Sequence, residues 1–469
     1  MSRKTYVVNL VFIMNALLLL PAYSADGDGS GSDNSDLLRT SLNLNCFELI
    51  FCQPQNDFQN NSQSNNQNTY QNNIPNNTQP IILADDNIIL APDLGQFSGA
   101  AVEQILPTPA TVYDYSLELK GAFQNDHNGE RFEIIATPSV SVSHKNRNAQ
   151  YNLGTSASLS KQLDGEFRLF DGNIDFGSNY ILDRDTNASL SANLAATQAS
   201  PNDPSLDSTI AIAPITVSGS ADGVISRQFD RLTGELRTSI ARTVFGESQL
   251  NTGIWQDNSV GNNTNLGAGL RLGYELTPII SIYVDSSYNR TNYDNDSLIL
   301  AANQSNNYYQ IGAGLSGSWR DVITAQAYIG YSFLQYDNAM LTDAHGTLFN
   351  ASLGYISVTG VDFNADFSKT ISAADPTIGA STRIEYTTSA SASYQINDWL
   401  TARATIGAGW AHYIGIADIE RSYNVGVGAD YKINRQASLS ADYSKNSLQT
   451  TALGNRQSDR FEVGITFSR

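Results

Sequence analysis

Between Thr382 and Arg469 the chain alternates with a period of two, in segments cut by turns. Ile384, Tyr386, Thr388, Ala390, Ala392 and Tyr394 occupy every second position, with Arg383, Glu385, Thr387, Ser389, Ser391 and Ser393 between them. After Ile396-Asn397-Asp398, the residues Leu400, Ala402, Ala404, Ile406, Ala408 and Trp410 repeat the pattern against Thr401, Arg403, Thr405 and Gly407. Three further segments follow, around 423–431, 437–443 and 461–467. Successive side chains on a strand point to opposite faces, so each segment has one apolar and one polar face. Segments of roughly 10 residues that alternate throughout predict an all-β fold, a transmembrane antiparallel up-and-down β-barrel. The competing reading is a soluble antiparallel sheet with one wet face.

The same pattern extends upstream. The barrel is expected to begin near Val112, where Tyr113, Tyr115, Leu117, Leu119 and Phe123 alternate with Asp114, Ser116, Glu118 and Lys120. Strands follow near 132–142, 151–159, 167–180 (with a bulge near Gly172) and 190–194. Residues 209–256 are harder to divide and have room for three or four strands. From 263, Leu266, Ala268, Leu270, Leu272 and Tyr274 oppose Gly267, Gly269, Arg271, Gly273 and Glu275. Past Thr277-Pro278, Ile280, Ile282, Val284 and Tyr288 oppose Ser281, Tyr283, Asp285, Ser287 and Asn289. Breaks at 291–305, 336–345, 372–380, 413–420 and 446–456 are long, and those near 278, 320, 359, 397 and 435 are short. Short periplasmic turns alternating with long outer loops mark an outer-membrane barrel, which a soluble sandwich has no reason to imitate. The parity places both ends of the barrel in the periplasm, so the strand number is even, about 18 within a range of roughly 16–20.

Residues 1–24 read as a signal peptide for Sec-type export. Arg3 and Lys4 precede an apolar run ending at Leu20, and Ala22-Tyr23-Ser24 before Ala25 has small residues where a signal peptidase reads. Residues 25–111 read as a disordered, low-complexity periplasmic lead-in, and 112–469 as the barrel. Within the lead-in, 15 of the 24 residues from 56 to 79 are Asn or Gln, too little apolar surface to fold alone. Cys46 and Cys52, the only two cysteines, fall in an oxidising compartment, where a small-loop disulfide is expected. No His or second Cys pair makes them a zinc site.

Charged residues are 16% of the chain and the net charge is -19. That balance excludes a nucleic-acid partner, which needs clustered Lys and Arg. No cofactor fingerprint occurs at a strand–helix junction. His127 and His345 fall in expected loops, and His144 and His412 at strand ends. Asp343-Ala344-His345 is a chance pair, so no catalytic residue is assigned and no enzyme is expected. The candidate functional residues are polar-face charges: Arg271, Glu275, Asp285, Arg383, Glu385, Arg403, Asp430, Asp442 and Glu462. A charge costs about 2–4 kcal/mol on the lipid face near mid-membrane, whereas in a wet lumen it tunes selectivity. The alternative is that these charges pair across strands and stiffen the wall. Tyr274, Tyr394, Trp410 and Tyr431 suit interfacial girdles.

The region from about Gln228 onward resembles the putative beta-barrel porin 2 family of Gram-negative bacteria. The resemblance lies in Phe229-Asp230-Arg231-Leu232-Thr233-Gly234-Glu235-Leu236, in Arg242-Thr243-Val244-Phe245-Gly246, and in the run from Leu270 to Pro278 followed by Tyr288-Asn289-Arg290. It implies an outer-membrane barrel, in some members associated with exopolysaccharide or capsule secretion, and hence passage of a polymer or of small solutes. The implied partners are outer-membrane lipid and lipopolysaccharide, the barrel assembly machinery and a periplasmic polysaccharide-export component. Many such barrels end on an aromatic residue read during assembly. Here Phe467 is expected to fill that role, although Ser468 and Arg469 follow it. The alternative to a channel is a structural or adhesive surface barrel acting through its outer loops.

Overall fold

The computed structural model describes residues 110–126, 129–163, 165, 167–199, 209–320, 322–451 and 454–469. The signal peptide, most of the lead-in, Cys46, Cys52 and His127 lie outside the described residues. Alternation makes strands almost without interruption. β1 (Ala110–Asp126), β2 (Gly129–Lys145), β3 (Ala149–Gln162), β4 (Phe167–Ile181) and β5 (Thr186–Gln198) come first. The stub β6 (Ile210–Ile212) leads to β7 (Ile215–Phe229) and β8 (Leu232–Phe245). Two more stubs, β9 (Ser248–Leu250) and β10 (Trp255–Gln256), precede β11 (Asn263–Thr277), β12 (Ile280–Tyr293), β13 (Asn306–Trp319) and β14 (Ile323–Tyr336). The wall continues through β15 (Ala344–Ile356), β16 (Val361–Ala373), β17 (Thr382–Gln395) and β18 (Leu400–Ile414). It ends with β19 (Ile419–Lys432), β20 (Ala437–Thr450) and β21 (Gly454–Ser468).

Without the three stubs these form one 18-stranded antiparallel sheet. Each strand pairs with the next in sequence, β5 with β7 and β8 with β11 across the stubs. The sheet closes where β21 returns to β1, from Ser116–Ser468 to Asp126–Ser458. The last residue joins this seam: Arg469 exchanges two backbone hydrogen bonds with Tyr115, at 3.0 and 2.9 Å. Closure leaves no edge strand, the condition a sheet must meet to cross a bilayer.

The turns alternate as the sequence indicates. One end carries tight turns, from 146–148 to 433–436, together with the start of β1 and the end of β21. The other end carries the long connections 199–214, 246–262, 294–305, 337–343 and 374–381, together with the short links 127–128 and 163–166. The breaks expected at 413–420 and 446–456 shrink to 415–418 and 451–453, because polar residues at the rim go on pairing above the apolar band. Residues 209–256 supply two wall strands, and β6, β9 and β10 form a separate three-stranded sheet. The bulge sits at Phe170: Ser158 pairs with Asp171 and Leu159 with Leu169, which skips it. His345 lies in β15, not in a loop. It faces outward against Tyr331 and Phe333, while Asp343 accepts a hydrogen bond from the Tyr336 backbone N–H.

Burial is inside out. The large exposed side chains are aliphatic and aromatic, and many of the best buried are polar, among them Glu133, Ser160, Asp285, Gln326, Arg460 and Glu462. In a water-soluble protein the order is reversed. The exposed aromatics fall in two belts. Tyr115, Phe229, Tyr274, Trp319, Tyr394, Tyr431 and Phe467 lie toward the tight turns; Phe123, Tyr288, Tyr309, Phe333, Trp410 and Tyr423 lie toward the long loops. Tyr423 and Tyr431 bracket a run whose outward residues between them include Val425 and Val427. Eight residues at about 3.3 Å each, tilted by about 40°, span roughly 20 Å of height, close to the apolar band of a bilayer barrel. Leu270→Arg and Val427→Arg, midway between the belts, should each cost about 2–4 kcal/mol in a bilayer. In a soluble sheet, exposed positions like these take Arg within about 0.5 kcal/mol. The fraction folded in vesicles, read from heat-modifiable gel mobility, distinguishes the two.

Candidate functional site

The polar half of every strand faces the interior. Strands two apart in the wall sit about 10 Å from each other, and long side chains bridge them across the concave side. Arg237 on β8 and Arg271 on β11 both reach Asp285 on β12, which is 4% exposed. Arg271 Nε donates to Asp285 Oδ2 at 2.8 Å, and Arg237 donates to the same oxygen. The Arg271 guanidinium also lies 4.4 Å above the Tyr283 ring. Tyr283 and Tyr328 stack with 7° between their planes, and Gln310 donates to the Tyr328 hydroxyl at 2.9 Å. These rings rest on glycines. A Cβ at Gly312 would stand 2.6 Å from Tyr328 Cζ, and one at Gly314 would overlap the Tyr283 ring. The Gly312-Ala313-Gly314 sequence is therefore a flat seat for two tyrosines.

A second cluster crosses the closing seam. Glu133 on β2 accepts from Arg168 on β4 at 2.8 Å and from Ser160 on β3 at 2.5 Å, and lies 2.7 Å from Arg460 on β21. Arg460 also binds Glu462, and Lys120 stands 3.1 Å from Glu118 and 3.8 Å from Glu462. The bulge turns Phe170 toward this cluster: the Arg168 and Arg460 guanidiniums lie 5.2 and 6.0 Å from its ring. Two smaller groups complete the set. Arg403 on β18 binds Asp430 at 2.6 Å and Asp442 at 3.0 Å. Arg383 on β17 lies 3.1 Å from Glu385 and 2.9 Å from Glu420, which also accepts from the Tyr413 hydroxyl at 2.7 Å.

Of the nine charges singled out from sequence, Arg271, Asp285, Arg383, Glu385, Arg403, Asp430, Asp442 and Glu462 thus sit in four ion-pair groups. Glu275 stands apart, near the tight turn after β11. The partners Glu133, Arg168, Arg237, Glu420 and Arg460 share the polar parity of their strands, and that parity was the available signal. Nothing local marks which strands meet. Among the described residues, Asp171 and Asp175 on β4, where Asn193 donates to Asp175 at 2.7 Å, and Asp222 on β7 stand without an arginine beside them. Asp362 and Asp366 on β16 are exposed to the interior. Among the described residues no group of three or more His, Cys, Asp or Glu could hold a metal ion.

At the long-loop rim, two forked ion pairs tie loops to the wall. Arg242 binds Asp294, and Arg290 binds Asp337. These hydrogen bonds hold the Asp294 and Asp337 carboxyls below the ordinary aspartate range. A depressed carboxyl contributes at neutral pH and loses its contribution only as pH falls through the depressed value.

A family model described as putative beta-barrel porin 2 matches residues 132–469. No curated protein matches the sequence. Among solved structures, outer membrane protein opdK from Pseudomonas aeruginosa aligns at 13% identity over 76% of this chain and 99% of its own, with a TM-score of 0.40. OccAB4 from Acinetobacter baumannii aligns at 13% identity over 76% and 98%, with a TM-score of 0.38. A BenF-like porin from Pseudomonas fluorescens Pf-5 aligns at 12% over 76% and 99%, with a TM-score of 0.40.

Removing the Asp285 carboxylate strands two arginines. Asp285→Asn should destabilise the barrel by about 3 kcal/mol, the low end for a broken buried pair because water reaches the interior. Asp430→Asn, whose ion pair is far more exposed, should cost under about 1 kcal/mol. Urea unfolding of the refolded barrel checks the contrast. The loop ties should hold on mild acidification, so channel noise arising from loop movement should appear only below about pH 4. Bilayer recordings across a pH series test this.

Proposed function

This chain belongs to the putative beta-barrel porin 2 family, and we propose on that footing that its barrel is an outer-membrane channel for hydrophilic solutes, polysaccharide chains among them. The observation that carries the reading is the wall itself: apolar, belted with aromatics outside, and lined inside by polar side chains and paired charges. Charge placed on the lumen face tunes passage electrostatically without chemistry. The arginines of the four groups are matched by their acids, whereas Asp171, Asp175, Asp222 and Asp362 add acidic charge to the lining, so cations pass in preference to anions. A flexible polyhydroxylated chain meets hydroxyl, amide and carboxylate groups along this lining, each able to exchange hydrogen bonds with it. Export through the Sec route, recognition of Phe467 during assembly and a periplasmic export partner all follow from the same reading. Phe467 sits on the outer face of β21, opposite Leu117 of the first strand.

One observation favours a second reading, a surface-binding barrel: Leu298 and Met340 at the loop tips are 92% and 70% exposed. Planar-bilayer recording decides between the two. The refolded protein should conduct, with a reversal potential showing cation preference that weakens in Asp175→Asn/Asp222→Asn. A correctly folded barrel that never conducts would sink the channel and leave the surface-binding reading.

A further inference from the structure

One interface in the wall stops short of the ends of both its strands. The ladder between β15 and β16 runs from Ile356–Asp362 to Phe349–Lys369 and stops there. Yet β15 begins at Ala344 and β16 ends at Ala373, and on their far sides both remain paired to those ends. The β14–β15 ladder reaches Leu334–Ala344, and the β16–β17 ladder reaches Ala373–Thr382. The two strands therefore part over 344–348 and 370–373, toward the long loops.

Aliphatic side chains fill the parting. Ala344, Leu348 and Ile371 are 5%, 5% and 4% exposed, and a Cβ at Gly346 would stand 3.0 Å from Ile371 Cδ1. They belong to one apolar cluster with Leu334 and Tyr336 of β14 and with Ala302 and Leu341 of two long loops; Tyr308 of β13 packs against it. At the foot of the parting the outer face carries an aromatic strip. Phe349 lies 5.0 Å from Phe367 and 6.1 Å from Tyr386, which lies 5.5 Å from Trp410. Apolar surface is thus continuous from the lipid-facing belt, through the wall, to Leu334 and Tyr308 on the inner face.

We propose that this parting is a lateral port, in which an aliphatic chain from the outer leaflet enters the wall between β15 and β16 by displacing Ile371 and Leu348. Elsewhere, opening the wall breaks ladder hydrogen bonds in a medium that offers no replacement. Here only side-chain packing yields, and the methylenes of the entering chain restore it. The chemistry fits the acyl tail of a membrane lipid or a free fatty acid. It does not depend on the hydrophilic channel: a barrel with a sealed lumen and a working port is physically consistent, as is the converse.

The test uses the full-length protein in lipid vesicles with two photoactivatable probes: a diazirine fatty acid, and a phosphatidylethanolamine carrying the same group in its acyl chain. Adducts on 344–348 or 370–373 from either probe support the port, and the probe that labels names the source. In cells, Ile371→Ala should raise uptake of the lipophilic dye N-phenyl-1-naphthylamine by about 30-fold, the low end set by loss of a buried aliphatic side chain. Gly346→Leu should lower it, with hydrophilic conductance unchanged in both. Heat-modifiable mobility confirms that each variant folds, and photolabelling of the wild-type protein needs no variant. Adducts confined to the aromatic strip, or unchanged dye uptake in both variants, would overturn the port.

Discussion

Backbone hydrogen bonding in a medium without water governs this molecule. Each unsatisfied N–H or C=O in hydrocarbon costs several kcal/mol, so a sheet that crosses a bilayer must have no edge. The chain meets that demand through the pairing of β21 with β1, continued to its final residue by the Tyr115–Arg469 exchange. Closure then fixes the side chains. A strand with both neighbours occupied sends every second residue to lipid and every other to the interior, and the sequence obeys this from Tyr113 to Phe467. The polar residues are buried because the apolar ones must face outward.

The enclosed face has a different problem. Charges there are partly screened by water but crowded by curvature, and the protein answers with arginines that each serve two acids or share one. Arg237 with Asp285, and Glu133 with Arg168 and Arg460, tie strands that do not touch through their backbones, while Arg271 meets Asp285 from the neighbouring strand. The Glu133 group lies across the closing seam, where the first and last strands meet. It adds side-chain links where the backbone ladder joins opposite ends of the chain. Glycine has the complementary role at Gly312 and Gly314, where the absence of Cβ lets Tyr283 and Tyr328 lie flat on the wall. A larger residue there would lift both rings toward the interior.

This division explains what could be read from the sequence. Wall strands, parity of turns, strand number and the inward placement of the polar residues all follow from a period of two, which is local and repeats many times. The pairing of Glu133 with Arg460 is not local, and no spacing announces it. Phe170 escaped for another reason. A bulge shifts parity by one residue, so alternation marks the neighbourhood of the bulge without saying which side chain turns inward. Residues 209–256 were ambiguous because the short apolar runs of β6, β9 and β10 resemble fragments of wall strands while forming a sheet of their own. Parity likewise located the loops better than it measured them: at 415–418 and 451–453, polar residues extend the ladder past the point where the hydrophobic pattern fades.

The parting between β15 and β16 shows the backbone rule from its other side. A closed wall gives up ladder bonds most cheaply toward its rim, where loops and water supply partners, and the parting lies at that end. Below Phe349–Lys369 the ladder resumes and runs to Ile356–Asp362. The place where pairing stops is also the place where the outer aromatic strip begins. Above that line, packing replaces hydrogen bonding, with Ile371 and Leu348 set against loop residues Ala302 and Leu341. A joint held by side chains opens at lower cost than one held by backbone bonds in lipid. The wall therefore yields more easily between these two strands, at their outer ends, than along a fully paired ladder.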